Sequence, residues 1–193
     1  MKNNIMIVAL ALVLSMTSYG FNQRSHAGKR KKIDISKYLD QMQENPDLRF
    51  AFGAYDLKEY AFYDLDGDGK DEVFVSDSTV HYKAIYAIVG DTAQLIAYAD
   101  GCTNLVFYKN AVQYSAYYSP GRSVEGAQVV KDSKPTDYCL SEVEWNIFSD
   151  EQEVTYEWCI VNDKTATTED FHKFIKQLGE PVSEPTLHWQ PIN

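Results

Sequence analysis

The stretch that decides the fold runs from residue 63 to residue 75 and reads Tyr63-Asp64-Leu65-Asp66-Gly67-Asp68-Gly69-Lys70-Asp71-Glu72-Val73-Phe74-Val75. Its aspartates stand at three alternate positions, and two glycines among them allow the sharp backbone turns that bring carboxylates together. Aromatic and aliphatic residues, which are typical of β-strands, lie on both sides of this loop. The stretch therefore predicts a β-hairpin with an acidic connection.

The acidic loop predicts a calcium site. Converged carboxylates repel one another, and a divalent cation relieves that repulsion. Ca²⁺ accepts several oxygen ligands in a flexible geometry, whereas Mg²⁺ requires a tight octahedron and retains several waters. The five predicted ligands are Asp64, Asp66, Asp68, the main-chain carbonyl of Lys70, and Glu72. The alternative interpretation is an acidic turn that is solvated and binds no ion.

The loop begins with the spacing of an EF-hand, in which Asp64 is the first position and Glu72 the ninth. An EF-hand has a bidentate glutamate at its twelfth position, where this chain has Val75. The residues after Glu72 also read as a strand rather than as a helix. The pattern therefore excludes an EF-hand.

Residues 64–75 resemble the calcium loop of FG-GAP and related VCBS-type repeats, in which a D-x-(D/N)-x-D-G-x-x-(D/E) pattern precedes an apolar strand. Phe52-Gly53-Ala54 is similar to the Phe-Gly element that precedes the loop in that family, although it lies further upstream. The chain departs from the family in having Val75-Ser76-Asp77 where Gly-Ala-Pro is usual, and in having one copy where propellers need several. The resemblance implies a calcium-binding hairpin rather than a propeller, with the same five ligands.

After the hairpin, the apolar residues recur with a period of two. Strands are predicted over residues 82–89, 93–98, 105–108, 112–118, 124–131, 142–148 and 153–160. Turns at Gly90-Asp91 and at Lys109-Asn110 lie between neighbouring strands, and Gly90-Asp91 is a residue pair of the kind that tight hairpins need. A solvent-exposed polar face opposite a buried apolar face is typical of antiparallel sheets. We therefore expect an antiparallel meander of hairpins.

Two helices are predicted. Apolar residues at positions 35, 38, 39 and 42 form one stripe on a helix of about three turns, which Asn45-Pro46 ends. Thr167 and Asp170 have the spacing of a capping box, and Gly179 marks the end of the helix that follows. The expected fold class is α+β, mostly antiparallel β-sheet with a helix near each end.

Residues 1–27 are predicted to be a signal peptide and flexible lead-in, because an apolar run from Ile5 to Met16 follows an early lysine. Cleavage after Gly20 and cleavage after Ala27 both fit. Residues 28–193 are then expected to form a single α+β domain in a secreted or periplasmic protein, with no membrane association after cleavage. A formal net charge of −10 argues against nucleic acid as a partner.

The three cysteines predict one disulfide and one remaining thiol in an oxidising compartment. Alternation places Cys159 on the polar face of its strand and Cys139 on the apolar face of the preceding one. A Cys139–Cys159 bond would then need a β-bulge, so the sequence favours Cys102–Cys139.

The predicted function is an exported, calcium-stabilised binding or interaction module without catalytic activity, whose partner is an unspecified protein or glycan. Tyrosines on an open sheet face could bind such a partner, although aromatic residues also fit a half-buried sheet. The alternative is a secreted enzyme or enzyme inhibitor that uses a cleft on the same sheet. Neither a Gly-x-Ser-x-Gly elbow nor a pair of suitably spaced histidines supports a catalytic site.

Overall fold

The computed structural model describes residues 33–45, 56–77, 83–99, 102–119, 121–145 and 154–193. The predicted signal peptide and the Phe52-Gly53-Ala54 element lie outside the described residues. The strands are β1 Glu59–Tyr63, β2 Glu72–Ser76, β3 Lys83–Val89, β4 Thr92–Ala99, β5 Thr103–Tyr108, β6 Ala111–Ser119, β7 Arg122–Val130, β8 Pro135–Trp145, β9 Val154–Val161, β10 Lys164–Ala166 and β11 Gln190–Pro191.

These strands form two antiparallel sheets rather than one. The first sheet has the order β11-β1-β2-β3-β4, and the second has the order β10-β9-β8-β7-β6-β5. Strands that follow one another in the chain are neighbours within each sheet, so the predicted meander of hairpins is confirmed. The chain passes from one sheet to the other between β4 and β5. Strand β11 lies at an edge beside β1, where the missing N–H of Pro191 is tolerated.

The main core lies between the two sheets. Phe74 of β2 and Phe107 of β5 stack there with ring centroids 6.4 Å apart. The opposite face of the first sheet packs against Met42, so β2 is covered on both sides and all five of its residues are buried. Glu72 is the first residue of β2 and is therefore buried with the rest of the strand.

The described helices are short. Helix α1, Leu39–Gln43, follows a 3-10 turn at Ile35–Lys37, so the predicted three-turn helix is interrupted. Neither segment has a side-chain cap, and such short helices depend on packing for their stability.

Helix α2, Thr168–Gln177, has the predicted capping box. The Asp170 N–H donates to Thr167 Oγ1 at 3.2 Å, and the Thr167 N–H donates to the Asp170 carboxylate at 3.1 Å. Gly179 follows the helix with a φ of +86°, a conformation in which glycine has no steric penalty.

The cysteines differ from the expectation. In the described part of the chain no two cysteines lie at disulfide distance, so the favoured Cys102–Cys139 pair is not formed; Cys102 is exposed and Cys139 is buried. Cys159 lies opposite Ser141 and is also buried, so its predicted place on a polar face is wrong.

The physical reason is that helix α2 covers the face of β9 that carries Cys159, so alternation alone does not show that this face is buried. Small side chains from the second sheet, including Cys139 and Cys159, form the surface on which Phe171 of α2 packs.

Candidate metal centre

The predicted hairpin is present. Strands β1 and β2 pair from Glu59 opposite Ser76 to Tyr63 opposite Glu72, and the acidic loop connects them. Gly67 and Gly69 have φ values of +76° and +91°. These are left-handed conformations that glycine adopts without steric cost, which explains their positions between the aspartates.

Three aspartates of the loop, Asp64, Asp66 and Asp68, each accept hydrogen bonds from backbone N–H groups that follow them in the chain. The Asp64 carboxylate accepts from Gly67 N–H at 2.8 Å and from Gly69 N–H at 2.9 Å. Asp66 Oδ1 accepts from the Asp68 N–H at 3.1 Å, and Asp68 Oδ1 accepts from the Lys70 N–H at 2.7 Å. These bonds are the turn-forming contacts that short acidic side chains make with their own backbone.

The structure brings three of the predicted ligands together. One carboxylate oxygen from each of Asp64, Asp66 and Glu72 lies within 4.8 Å of the other two. Asp68 is outside this group, and its Oδ2 instead forms an ion pair with Lys70 Nζ at 3.2 Å. The Lys70 carbonyl remains a predicted ligand.

Glu72 is the most unusual group of the loop. Its side chain is fully buried, and Oε2 accepts from the Leu65 N–H at 2.7 Å. Oε1 has no hydrogen-bond partner, and it is the one such buried side-chain atom in the described residues. Burial raises the pKa of Glu72 to about 8; the Leu65 N–H opposes this, while the nearby charges of Asp66, Asp64 and Asp68 add to it. A buried carboxylate oxygen without a partner is costly, and this oxygen is available to a ligand.

The donor set fits one Ca²⁺. Oxygens bind calcium at 2.3–2.6 Å, so ligands on opposite sides of the ion lie about 5 Å apart. Oxygens within 4.8 Å of one another can therefore share a single ion. All three are carboxylate oxygens, which are ligands that hard divalent cations prefer.

The loop also contacts the second sheet. Ser133, in the turn between β7 and β8, donates its N–H to Asp66 Oδ2 at 3.0 Å and its hydroxyl to Asp68 Oδ2 at 2.8 Å. Burial raises the pKa of Asp68, but hydrogen bonds from Lys70 and Ser133 outweigh it, so the net pKa lies below its usual value. No local sequence pattern predicts Ser133 as part of this site, because the loop lies more than sixty residues earlier in the chain.

A second concave site lies between the second sheet and α2. This groove has a volume of about 190 Å³. Its lining residues are Tyr117, Ser123, Glu125, Ser141, Val143, Trp145, Glu157, Thr168, Phe171 and His172. Ser141 Oγ accepts from Cys159 Sγ at 3.3 Å, and Thr168 donates to Glu157.

The tyrosines favour the sheet-filling interpretation. Tyr86 and Tyr108 are buried, and Tyr98 stacks on Tyr114 with centroids 6.4 Å apart. Tyr117 is 60% exposed and belongs to the groove.

Comparison with protein-family models, with curated proteins and with solved structures found no match to this chain. Among the described residues, no helix has the length and apolar character needed to cross a membrane. The geometry of the loop is therefore the main basis for a functional proposal.

Proposed function

We propose that this chain is an exported module that binds one Ca²⁺ in the β1–β2 loop and is stabilised by it. The observation that carries the proposal is the buried, unpartnered Oε1 of Glu72 beside the carboxylates of Asp64 and Asp66. An ion there would satisfy the orphaned oxygen and offset the repulsion between the carboxylates. The resemblance of residues 64–75 to FG-GAP and VCBS-type calcium loops agrees with this chemistry.

The full proposed ligand set is Asp64, Asp66, Asp68, the Lys70 carbonyl and Glu72. Asp68 and the Lys70 carbonyl would join the three clustered carboxylates after a small rearrangement, since Asp68 already belongs to the same loop. We further propose a single α+β domain over residues 28–193, with a helix near each end and an unspecified protein or glycan as its partner.

The expected stabilisation follows from mass action. Extracellular calcium modules bind with dissociation constants of about 0.1 to 1 mM. At about 1 mM calcium, a site of that affinity adds about 0.4 to 1.4 kcal/mol to the free energy of unfolding, and at about 10 mM it adds about 1.4 to 2.7 kcal/mol. For a chain of this size, 1 kcal/mol shifts the melting temperature by about 2 to 4 °C.

The test is thermal unfolding of the wild type in 10 mM Ca²⁺, in 10 mM Mg²⁺ and in a chelator. We expect calcium to raise the melting temperature by several degrees above the chelator, and magnesium to raise it less. Asp64→Asn, which removes one clustered charge without touching the second sheet, should lose most of the calcium response. Asp91→Asn removes an exposed charge in the β3–β4 turn and should keep the full response.

A wild-type melting temperature that is the same in calcium and in chelator would refute the metal site. An equal response in Asp64→Asn and Asp91→Asn would also refute it, because calcium would then act by general charge screening.

The groove beside α2 favours the second candidate function, a secreted enzyme or enzyme inhibitor that works through a cleft. Its lining includes hydroxyls, two carboxylates and His172. A nucleophile would need a base within hydrogen-bond reach. In the described residues, the hydroxyls of Ser141 and Thr168 are engaged with Cys159 and Glu157 rather than with His172. The calcium-stabilised binding module is therefore the better-supported function.

A further inference from the structure

The turn between β7 and β8 has an unusual conformation for its sequence. Asp132 and Ser133 both have a φ of +54°, and Lys131 and Lys134 exchange backbone hydrogen bonds of 2.9 and 3.1 Å. Two central residues with positive φ define a type I′ turn, in which the second position strongly favours glycine. The chain has a serine there, and the serine is only 6% exposed although it lies in a turn.

The serine occupies this strained position while making both contacts to the acidic loop. Its N–H donates to Asp66 and its hydroxyl donates to Asp68, and both aspartates lie in the loop that connects two strands of the first sheet. A glycine would lower the backbone strain but would lose the hydroxyl contact. The turn itself therefore does not explain a serine at position 133, whereas the hydrogen bond from its hydroxyl to Asp68 does.

We infer that Ser133 is a positioning residue of the calcium centre, and that ion binding and docking of the β7–β8 turn on the acidic loop stabilise each other. The inference rests on the proposed calcium site. A carboxylate oxygen has two lone-pair sites, so it can accept a hydrogen bond and contact an ion at the same time. Partners of this kind fix the orientation of metal ligands in many proteins.

The coupling has a direct electrostatic origin. Without an ion, the carboxylates of Asp64, Asp66 and Glu72 repel one another and favour a more open loop. Opening would draw Asp66 and Asp68 away from Ser133. A bound cation offsets the repulsion and stabilises the closed loop, in which Asp66 and Asp68 accept hydrogen bonds from Ser133. By thermodynamic linkage, a docked turn must raise calcium affinity by the same factor by which calcium favours docking.

The test uses the full chain and two measurements. Calcium affinity is measured by titration calorimetry for the wild type, Ser133→Gly and Ser133→Ala, with Thr136→Ala as the matched control. Thr136 is the second residue of β8, three residues after Ser133, and its hydroxyl donates to the Val129 carbonyl rather than to the loop. We expect the Ser133 variants to bind calcium roughly 10-fold more weakly, as is typical when a partner of a metal ligand is lost. Thr136→Ala should stay within about twofold of the wild type.

The second measurement is amide hydrogen exchange of residues 131–134 in calcium and in chelator. Calcium should slow exchange in this turn of the wild type, even though the turn is far from the loop in sequence. Asp64→Asn, which does not contact the turn, should abolish that protection. This measurement does not depend on the Ser133 variants and remains decisive if one of them fails to fold.

The two measurements distinguish the proposed calcium site from the proposed coupling between that site and Ser133. A wild type that binds calcium, with the same affinity in both Ser133 variants and no calcium-dependent exchange at residues 131–134, would overturn the inference alone. A wild type that binds no calcium would overturn both the proposed function and the inference.

Discussion

Replacing Glu72 with glutamine should have opposite effects on the calcium-free and calcium-bound protein. The substitution keeps the size of a fully buried side chain and leaves a carbonyl oxygen to accept from the Leu65 N–H. It removes the ionisable group that burial and the neighbouring aspartates disfavour. We therefore expect Glu72→Gln to stabilise the chelated protein at neutral or alkaline pH while weakening its response to calcium.

The magnitude follows from the pKa of Glu72, which is raised from 4.5 to about 8. Below pH 4.5 the carboxyl is protonated in both the folded and the unfolded chain, so it has no effect on the free energy of unfolding. As the pH rises from 4.5 to 8, the unfolded chain gives up this proton while the folded chain retains it, and stability falls. At pH 7, about 2.5 pH units above 4.5, the loss is about 3 kcal/mol, and above pH 8 it becomes constant at about 5 kcal/mol.

The assay is urea unfolding at a series of pH values from 4.5 to 8.5, in chelator and in 10 mM calcium. In chelator, the free energy of unfolding of the wild type should fall across this pH range. That of Glu72→Gln should fall less. At pH 8 the variant should be more stable than the wild type by about 2 to 4 kcal/mol. In calcium, the wild type should recover stability while the variant gains little. Glu180→Gln, which changes an exposed glutamate outside the loop, should follow the wild type in both conditions.

Two results would refute this reasoning. One is a chelated Glu72→Gln protein that is less stable than the chelated wild type at pH 8, since burial of the charge would then not be the dominant cost. The other is an equal calcium response in the two proteins, which would mean that Glu72 does not contact the ion.

Two further predictions concern the second sheet. Gly126→Ala should lower the free energy of unfolding in urea by about 1 to 3 kcal/mol, because the new Cβ would lie 2.4 Å from Cζ of the Tyr114 ring that packs over it. The same substitution in a Tyr114→Ala background should cost clearly less, and an equal cost in both backgrounds would contradict the steric explanation. Iodoacetamide at pH 8 should modify exposed Cys102 in the folded protein but not Cys139, since burial raises the Cys139 pKa to about 12 and leaves roughly one thiol in 10⁴ ionised. Mass spectrometry that finds equal modification of both cysteines would contradict the buried position of Cys139.

The hairpins and the capping box could be predicted because their signals are local. Gly90-Asp91 lies between two strands whose side chains alternate, and in the structure these residues form the β3–β4 turn. Thr167 and Asp170 satisfy each other across three residues, so their contact depends little on the rest of the fold. The β1–β2 loop was predicted for the same reason.

The division into two sheets and the faces of β9 could not be predicted in this way. Alternation is identical in both sheets, so nothing in the residues between β4 and β5 indicates that the chain changes sheet there. On β9, alternation marks Tyr156 as apolar and Cys159 as polar, yet Tyr156 is 46% exposed and Cys159 is buried. The docking of Phe171 on the face that carries Cys159 buries that face, and this docking is a tertiary effect that alternation does not show.

The position of Glu72 bears directly on the choice between a metal loop and a solvated acidic turn. A solvated turn requires every carboxylate to reach water, and Glu72 has no exposed surface. The residue closes the loop and also begins β2, the strand that is buried on both sides, so the carboxylate cannot move into solvent without displacing the strand. Its charge must therefore be neutralised either by a proton or by a cation. At a pH near neutrality a proton on Glu72 costs stability, whereas a bound calcium ion would add it, which is why we propose a metal loop rather than a solvated turn.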